Sequence, residues 1–378
     1  MGELLPDGSE KGLKGHFKED FSHRSRIGLA PPHGVIDRSA PYKRIATEEA
    51  WTFPALVKAQ IDYLDSGDAP LDDDSLKMAR LFANMPSLQE MLQDLGDLRL
   101  AHMDEMGIDR QLLLLTAPGV QVVRPGDGTA LSREANDIAA EACRNHPERF
   151  SACAAFDPRD VAGSVREIER AMGSLKLAGA VLNSHFQGRY IDELAYFPIL
   201  EALEANDAAL YIHPTAPHHA PHYESRGFFG ALGGFPHDVW GHTMGLIFSG
   251  AFDRFPNLRL VIGHMGECMP LQLYRFDWMQ GNADGRPHLR GGKQVKLRHP
   301  VSHYFRNNIW ITTSGVAWEP AIKFCMEQLG PERVLYAMDY PYQQSTDEVA
   351  AYDAMAISPE HKKMLMQTNA ERVFRIGR

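Results

Sequence analysis

From Lys43 onward the chain alternates eight times between a short β-rich apolar run and a longer helical stretch. The runs are Arg44–Glu48, Gln111–Thr116, Phe150–Phe156, Ala178–His185, Ala208–His213, Leu258–His264, Asn308–Ser314 and Arg333–Asp339. Each is too short, and too rich in β-branched or aromatic residues, to be a helix. Between them lie amphipathic stretches such as Leu88–Met106, Ser132–Asn145, Ser164–Leu175, Phe197–Asn206 and Glu319–Leu329. Parallel strands need a long crossover, so the alternation predicts an α/β fold of parallel strands joined by helices. Continuously apolar strands fit a sheet covered on both faces. A closed (β/α)8 barrel and an open doubly wound sheet both satisfy this pattern.

Composition removes several function classes. Lys and Arg number 39 against 49 Asp and Glu, and the basic residues gather on no one segment, so nucleic-acid binding is not expected. No apolar run reaches the ~18 residues of a membrane span. Cys143, Cys153, Cys268 and Cys325 are scattered without a CxxC pair and read as reduced packing residues of a cytoplasmic protein. The segment 1–42 has no apolar signal-peptide core, and Asp7, Glu10, Glu19 and Asp20 argue against a transit peptide.

Polar residues collect where the strands end. The first run ends in Glu48-Glu49, the fourth in Asn183-Ser184-His185, the fifth in His213, the sixth in His264 with Glu267 just after, and the eighth in Asp339. Taken singly, these are a solvated pair, a turn cap or a histidine satisfied in a loop. Taken together in a closed barrel, they converge on the mouth where barrel enzymes place their chemistry. Glu48, His213 and Asp339 supply two carboxylates and one imidazole, a hard donor set suited to Mn²⁺ or Zn²⁺. His218, His219 and His222 are interrupted by prolines and read as a rim loop. Phe228, Phe229 and Phe235 are candidates for an aromatic wall.

Five segments carry a closer likeness: Arg44–Ala50, Tyr211–Pro214, Gly263–Glu267, Ser314–Pro320 and Tyr336–Tyr342. In this order they resemble the amidohydrolase-related, metal-dependent aromatic decarboxylases. That family includes γ-resorcylate, aminocarboxymuconate-semialdehyde and 5-carboxyvanillate decarboxylases, and the likeness is closest to the last. The resemblance implies a TIM-like (β/α)8 barrel with insertions, spanning residues 43–378 as one catalytic domain. Residues 1–42 remain as an N-terminal arm, disordered or wrapping a neighbouring subunit. The implied assembly is a homodimer or homotetramer.

The implied metal ligands are Glu48, His213 and Asp339 around one divalent ion, Mn²⁺ in preference to Zn²⁺. Ala50 stands where some relatives have a further histidine ligand. His264 and Glu267 match residues beside the substrate, Arg275 a carboxylate-binding arginine, Tyr342 a substrate-contacting tyrosine and Phe235 an aromatic wall. The stretch Asp72–Pro86 offers only Arg80 as a second carboxylate anchor.

The implied reaction is non-oxidative loss of CO₂ from an ortho-hydroxylated aromatic carboxylate, 5-carboxyvanillate-like or a dihydroxybenzoate. Protonating the ring carbon first lets CO₂ leave as aromaticity returns. Asp339 is the favoured proton donor over His264, with Glu267 assisting. The rival is a mononuclear hydrolase or hydratase of a lactone, amide or unsaturated dicarboxylate on the same barrel. The closing stretch Ser358–Phe374 opens Ser-Pro-Glu and is expected to be a helix capped by Ser358.

Overall fold

A computed structural model describes residues 34–69, 74–217, 225–226, 230–284 and 296–376. Eight strands form one sheet in sequence order, every neighbouring pair parallel. They are β1 (Ile45–Trp51), β2 (Arg110–Leu115), β3 (Phe150–Ala155), β4 (Gly179–Asn183), β5 (Ala209–His213), β6 (Arg259–Ile262), β7 (Ile309–Thr312) and β8 (Val334–Leu335). The sheet closes on itself, because Thr47 N–H donates to the Tyr336 carbonyl at 3.1 Å and Ala50 N–H to the Tyr340 carbonyl at 2.7 Å. The open-sheet alternative is thereby excluded. Helices follow the strands, and the core is a single large cluster filling the barrel and the strand–helix interface. Every residue of β1, β2, β4 and β5 is buried, including the polar Thr47, Glu48, Glu49, Arg110 and Gln111 of the first two strands, as in a sheet covered on both faces.

β1 carries one irregularity that matters. Ala46 pairs with Gln111 and Glu49 with Leu113, so Thr47 and Glu48 together stand opposite Leu112. Such a bulge bends a strand and re-aims a side chain. Here it falls on the first candidate ligand.

Three expectations for the elements need correcting. The stretch Leu88–Met106 is two helices, Pro86–Gln93 and Asp97–Met106. Asp94 breaks it by accepting the N–H groups of Gly96 (3.0 Å) and Arg99 (2.9 Å) with its own side chain. The last strand stops at Leu335, four residues short of Asp339, because the next N–H groups bond elsewhere: Tyr336 to Leu365 and Ala337 to Thr313. The segment Ser164–Leu175 is helical over Val161–Arg170 and ends in a wider turn, Ala171–Leu175. At the C-terminus, Ser358 does cap its helix, accepting the N–H of His361 at 3.1 Å.

Of the N-terminal arm, residues 1–33 lie outside the described residues. The remainder is tied to the barrel: Tyr42 donates to Asp353 at 2.8 Å, and Arg38 donates to the carbonyls of Asp104 and Glu105, each at 2.8 Å. All four cysteines are free; Cys153 and Cys325 are buried as expected for packing, whereas Cys268 is exposed. No helix among the described residues is long and apolar enough to cross a membrane.

Candidate active site

Glu48, His213 and Asp339 present ligand atoms within 4.8 Å of one another at the C-terminal mouth of the barrel. Glu48 is buried at 1% exposure, and one of its oxygens is fully used. Oε2 accepts the hydroxyl of Tyr211 and, at 2.8 Å, that of Thr312. Tyr211 sits two residues before His213 on β5, so both side chains share one face of the strand. Oε1 has no hydrogen-bond partner. It faces His213 Nε2 and His264 Nε2, each at 3.7 Å. A buried carboxylate oxygen left in this way costs free energy unless a cation or proton joins it.

The imidazoles are oriented for that role. His213 Nδ1 lies 2.8 Å from the Pro214 carbonyl, which can only accept, so Nδ1 carries the proton and Nε2 offers a lone pair. Burial lowers the His213 pKa and favours this neutral form, against the pull of Glu48. His264 Nδ1 donates to Glu267 Oε1 at 2.8 Å. Burial would lower its pKa too, but the Glu267 and Glu48 carboxylates outweigh it and push the value up to about 10. Asp339 is also shifted upward, which for a carboxyl favours the neutral form. Burial, then the neighbouring Glu48 charge, holds its pKa well above the usual range, with His264 opposing.

Unusual backbone surrounds these groups. Five consecutive residues, His264 to Cys268, have φ of 49°, 55°, 69°, 50° and 62°, and Asp339 has φ 76°. Left-handed conformations cost non-glycine residues roughly 1–2 kcal/mol each, and they concentrate where the surroundings fix a functional geometry. Gly266 eases this turn, since a Cβ there would sit 2.9 Å from Ile311 as well as at positive φ. Gly263 serves Glu48 directly, because its Cβ would lie 2.7 Å from Oε2 and 2.8 Å from Oε1.

The amidohydrolase family pattern matches residues 77–376, most of the chain. The chain belongs to the amidohydrolase family. A γ-resorcylate decarboxylase from Rhodococcus jostii is 32% identical over 304 residues, 77% of this chain and 91% of the relative. A crystal structure of 5-carboxyvanillate decarboxylase from Novosphingobium aromaticivorans, with manganese and 4-hydroxy-3-methoxy-5-nitrobenzoic acid bound, superimposes with a TM-score of 0.85. It is 40% identical, and the match covers 90% of this chain and 98% of that one. A dihydroxybenzoic acid decarboxylase from Polaromonas sp. JS666, with manganese and 2-nitroresorcinol, matches at TM-score 0.74 and 28% identity, over 89% of this chain and 98% of that one. This amidohydrolase is accordingly a carboxy-lyase of the decarboxylase group.

Other residues singled out in this amidohydrolase are placed as follows. Tyr342 lies at the mouth, its hydroxyl 2.6 Å from Thr116 Oγ1 and its ring 5.6 Å from Phe82. Phe235 is half-buried against Met78, Ala117 and Ala216, the same apolar patch that Phe82 joins. Phe228, Phe229, His218, His219 and His222 lie outside the described residues. His185 is not free for a metal: Nε2 is 2.6 Å from the Ala216 carbonyl, and Nδ1 accepts the N–H of Gly188 at 3.2 Å. It pins the loop after β5. Arg80 pairs with Asp65 on the surface. Arg275 is exposed on the helix Leu273–Asp284 and makes no ion pair with a described residue.

Tyr211, Thr312 and Phe82 were not legible as site residues. For Tyr211 the signal exists in the two-residue spacing to His213. Phe82 lies on a helix with no strand to place it.

Proposed function

We propose that this carboxy-lyase removes CO₂ from an ortho-hydroxylated aromatic carboxylate, with one divalent cation, Mn²⁺ in preference to Zn²⁺, held by Glu48, His213 and Asp339. The observation that carries the reading is the unpartnered Glu48 Oε1, facing the Nε2 atoms of His213 and His264 beside Asp339. Two carboxylates and a neutral imidazole fit a divalent cation in charge and in donor type. When bound, the cation supplies Lewis-acid polarisation of the substrate's oxygens and a template for its orientation. Support for Mn²⁺ comes from the relatives that contain manganese.

The protein's own groups do the rest. Tyr342, Phe82 and Phe235 offer apolar and aromatic surface to a ring, and Thr116 fixes the Tyr342 hydroxyl. Asp339, which lies with Glu48 and His213 in the cluster, is assigned as donor of the proton to the ring carbon that bears the carboxylate. The C–CO₂ bond then breaks, its electron pair returns to the ring, and CO₂ leaves. His264, locked by Glu267, stands beside this carboxyl and can return a proton from solvent. A carboxyl has two oxygens, which lets Asp339 both ligate and carry a proton.

Arg275 is assigned to a substrate carboxylate. It shares its helix with Tyr274 and Trp278, which are 81% and 61% exposed, and Leu271 just before them is 73% exposed. An apolar face of this kind supports assembly as a homodimer or homotetramer. Arg275→Ala is expected to raise KM about tenfold or more while Mn²⁺ stays bound, because a contact common to ground and transition states is lost. Loss of the metal in that variant would make the arginine structural. Gly263→Ala is expected to push Glu48 aside and lower Mn²⁺ affinity by about 10–100-fold, the range typical of disturbed ligand support. Titration followed by electron paramagnetic resonance checks this.

The reading is tested by offering 5-carboxyvanillate, 2,6-dihydroxybenzoate and simpler ortho-hydroxybenzoates to the Mn²⁺-loaded and the chelator-treated protein. CO₂ release from at least one, dependent on the metal, is expected. Release from none by metal-loaded protein would refute it.

A further inference from the structure

The carboxylate next to Glu48 is turned away from the cluster, and we infer that Glu49 is a positioning residue. It ends a buried Arg99–Gln111–Glu49 relay that holds the Asp339 turn. All three side chains are fully buried, each at 0% exposure. Arg99 Nη1 donates to Gln111 Oε1 at 3.2 Å, and Gln111 Nε2 donates to Glu49 Oε2 at 3.2 Å. Glu49 Oε1 in turn accepts the backbone N–H of Met338, the residue before Asp339, at 3.1 Å. Arg99 is itself immobilised. Its remaining nitrogens donate to the carbonyls of Asp94 (2.8 Å), Ala50 (2.8 Å) and Met91 (3.1 Å), and its guanidinium lies 4.6 Å from the centre of the Tyr340 ring.

The relay therefore grips both sides of Asp339, Met338 through Glu49 and Tyr340 through Arg99. The need for a grip is plain from the backbone. β8 ends at Leu335, and Asp339 sits at φ 76° four residues further on, outside the regular strand. The N–H groups of Tyr336 and Ala337 bond to Leu365 and Thr313, and that of Met338 bonds to the Glu49 carboxylate; on the far side the Asp339 carbonyl accepts Gln343 N–H at 2.8 Å and the Tyr340 carbonyl accepts Ala50 N–H at 2.7 Å. Because Glu48 and Glu49 are adjacent on β1, the strand that presents one ligand also fixes the turn that presents another. Their spacing is set by a single element.

This rests on the proposed reading, on its decarboxylation for the turnover readout and on its ligand set for the metal readout. Glu49→Gln leaves a carbonyl for Met338 and puts an amide nitrogen against that of Gln111; a flipped Gln111 would then oppose Arg99, donor to donor. The double exchange Glu49→Gln with Gln111→Glu restores an acceptor for every donor along the relay. Folded Glu49→Gln is expected to lose about 10–100-fold in both Mn²⁺ affinity and kcat, with KM little changed. The double variant should recover most of both. Gln111→Met, which removes the middle of the relay and leaves Glu49, should show the same losses and serves if Glu49→Gln does not fold. A folded single variant that keeps wild-type Mn²⁺ affinity, or one that changes only its melting temperature, overturns the assignment. So does a double variant that regains stability without regaining Mn²⁺ affinity. If the wild-type protein released no CO₂, the decarboxylase reading would fail while the Mn²⁺ titrations still decided the role of the relay.

Discussion

Asp339→Asn is expected to abolish measurable CO₂ release, with a loss of about 10²–10⁴-fold from the missing acid alone. An amide keeps the size and some hydrogen bonding of the carboxyl, but it cannot deliver a proton to a ring carbon. Mn²⁺ binding should weaken as well, because Asp339 is one of the three proposed ligands, but saturating Mn²⁺ should not restore turnover, because the proton is still missing. The same change should make the metal-free fold less sensitive to rising pH above the ordinary carboxylate range. Burial and Glu48 raise the Asp339 pKa, so the folded state binds more protons than the unfolded chain above the ordinary carboxylate range. Stability then falls as pH rises through that window. His264 acts in the same direction, since its folded pKa of about 10 gives stability that is fully present below the unfolded value of ~6.5 and lost as pH climbs through the folded one. Melting curves of chelated wild type and Asp339→Asn, followed from the ordinary carboxylate range upward in pH, check the sign. A metal-loaded Asp339→Asn with full activity would sink the assignment of the donor.

Glu48→Gln should fail differently. Its Oε2 is held by Tyr211 and Thr312, so the side chain stays in place, and Oε1 loses the charge that a divalent cation needs. Mn²⁺ affinity is expected to drop by about 100-fold or more, beyond the usual effect of a residue that merely supports a ligand. Here activity should return in part as Mn²⁺ is raised. The two variants thus separate the site's metal-binding function from its proton transfer. Unchanged Mn²⁺ affinity in Glu48→Gln would mean that the cation binds elsewhere.

Much of this arrangement was legible in the residues before any coordinates. Each of the eight β-rich runs overlaps one strand, since strands buried on both faces are mostly apolar, although β1 runs on past Glu48 to Trp51. The polar ends of those runs named Glu48, His213 and Asp339, which the barrel does bring together. What sequence could not supply was direction. Nothing in Glu48-Glu49 tells which carboxylate faces the mouth, because the bulge at Thr47 and Glu48 disturbs the simple alternation of β1. Nor does an ordinary-looking Arg99, in a helix broken by Asp94, disclose that it ends beneath Tyr340. His185 looked equivalent to His213 at its strand end, and only the Ala216 carbonyl distinguishes it. Arg80, the one arginine of the stretch Asp72–Pro86, is spent on Asp65 at the surface.

The most direct test of the account is a turnover experiment in D₂O with metal-loaded protein and an ortho-hydroxybenzoate substrate, following both CO₂ and the proton spectrum of the product. The account predicts one CO₂ per product and one deuteron at the ring position the carboxylate left, with neither seen after chelation. A product that has gained the elements of water and retained its carboxylate would contradict it, and would make this barrel a hydrolase or hydratase instead.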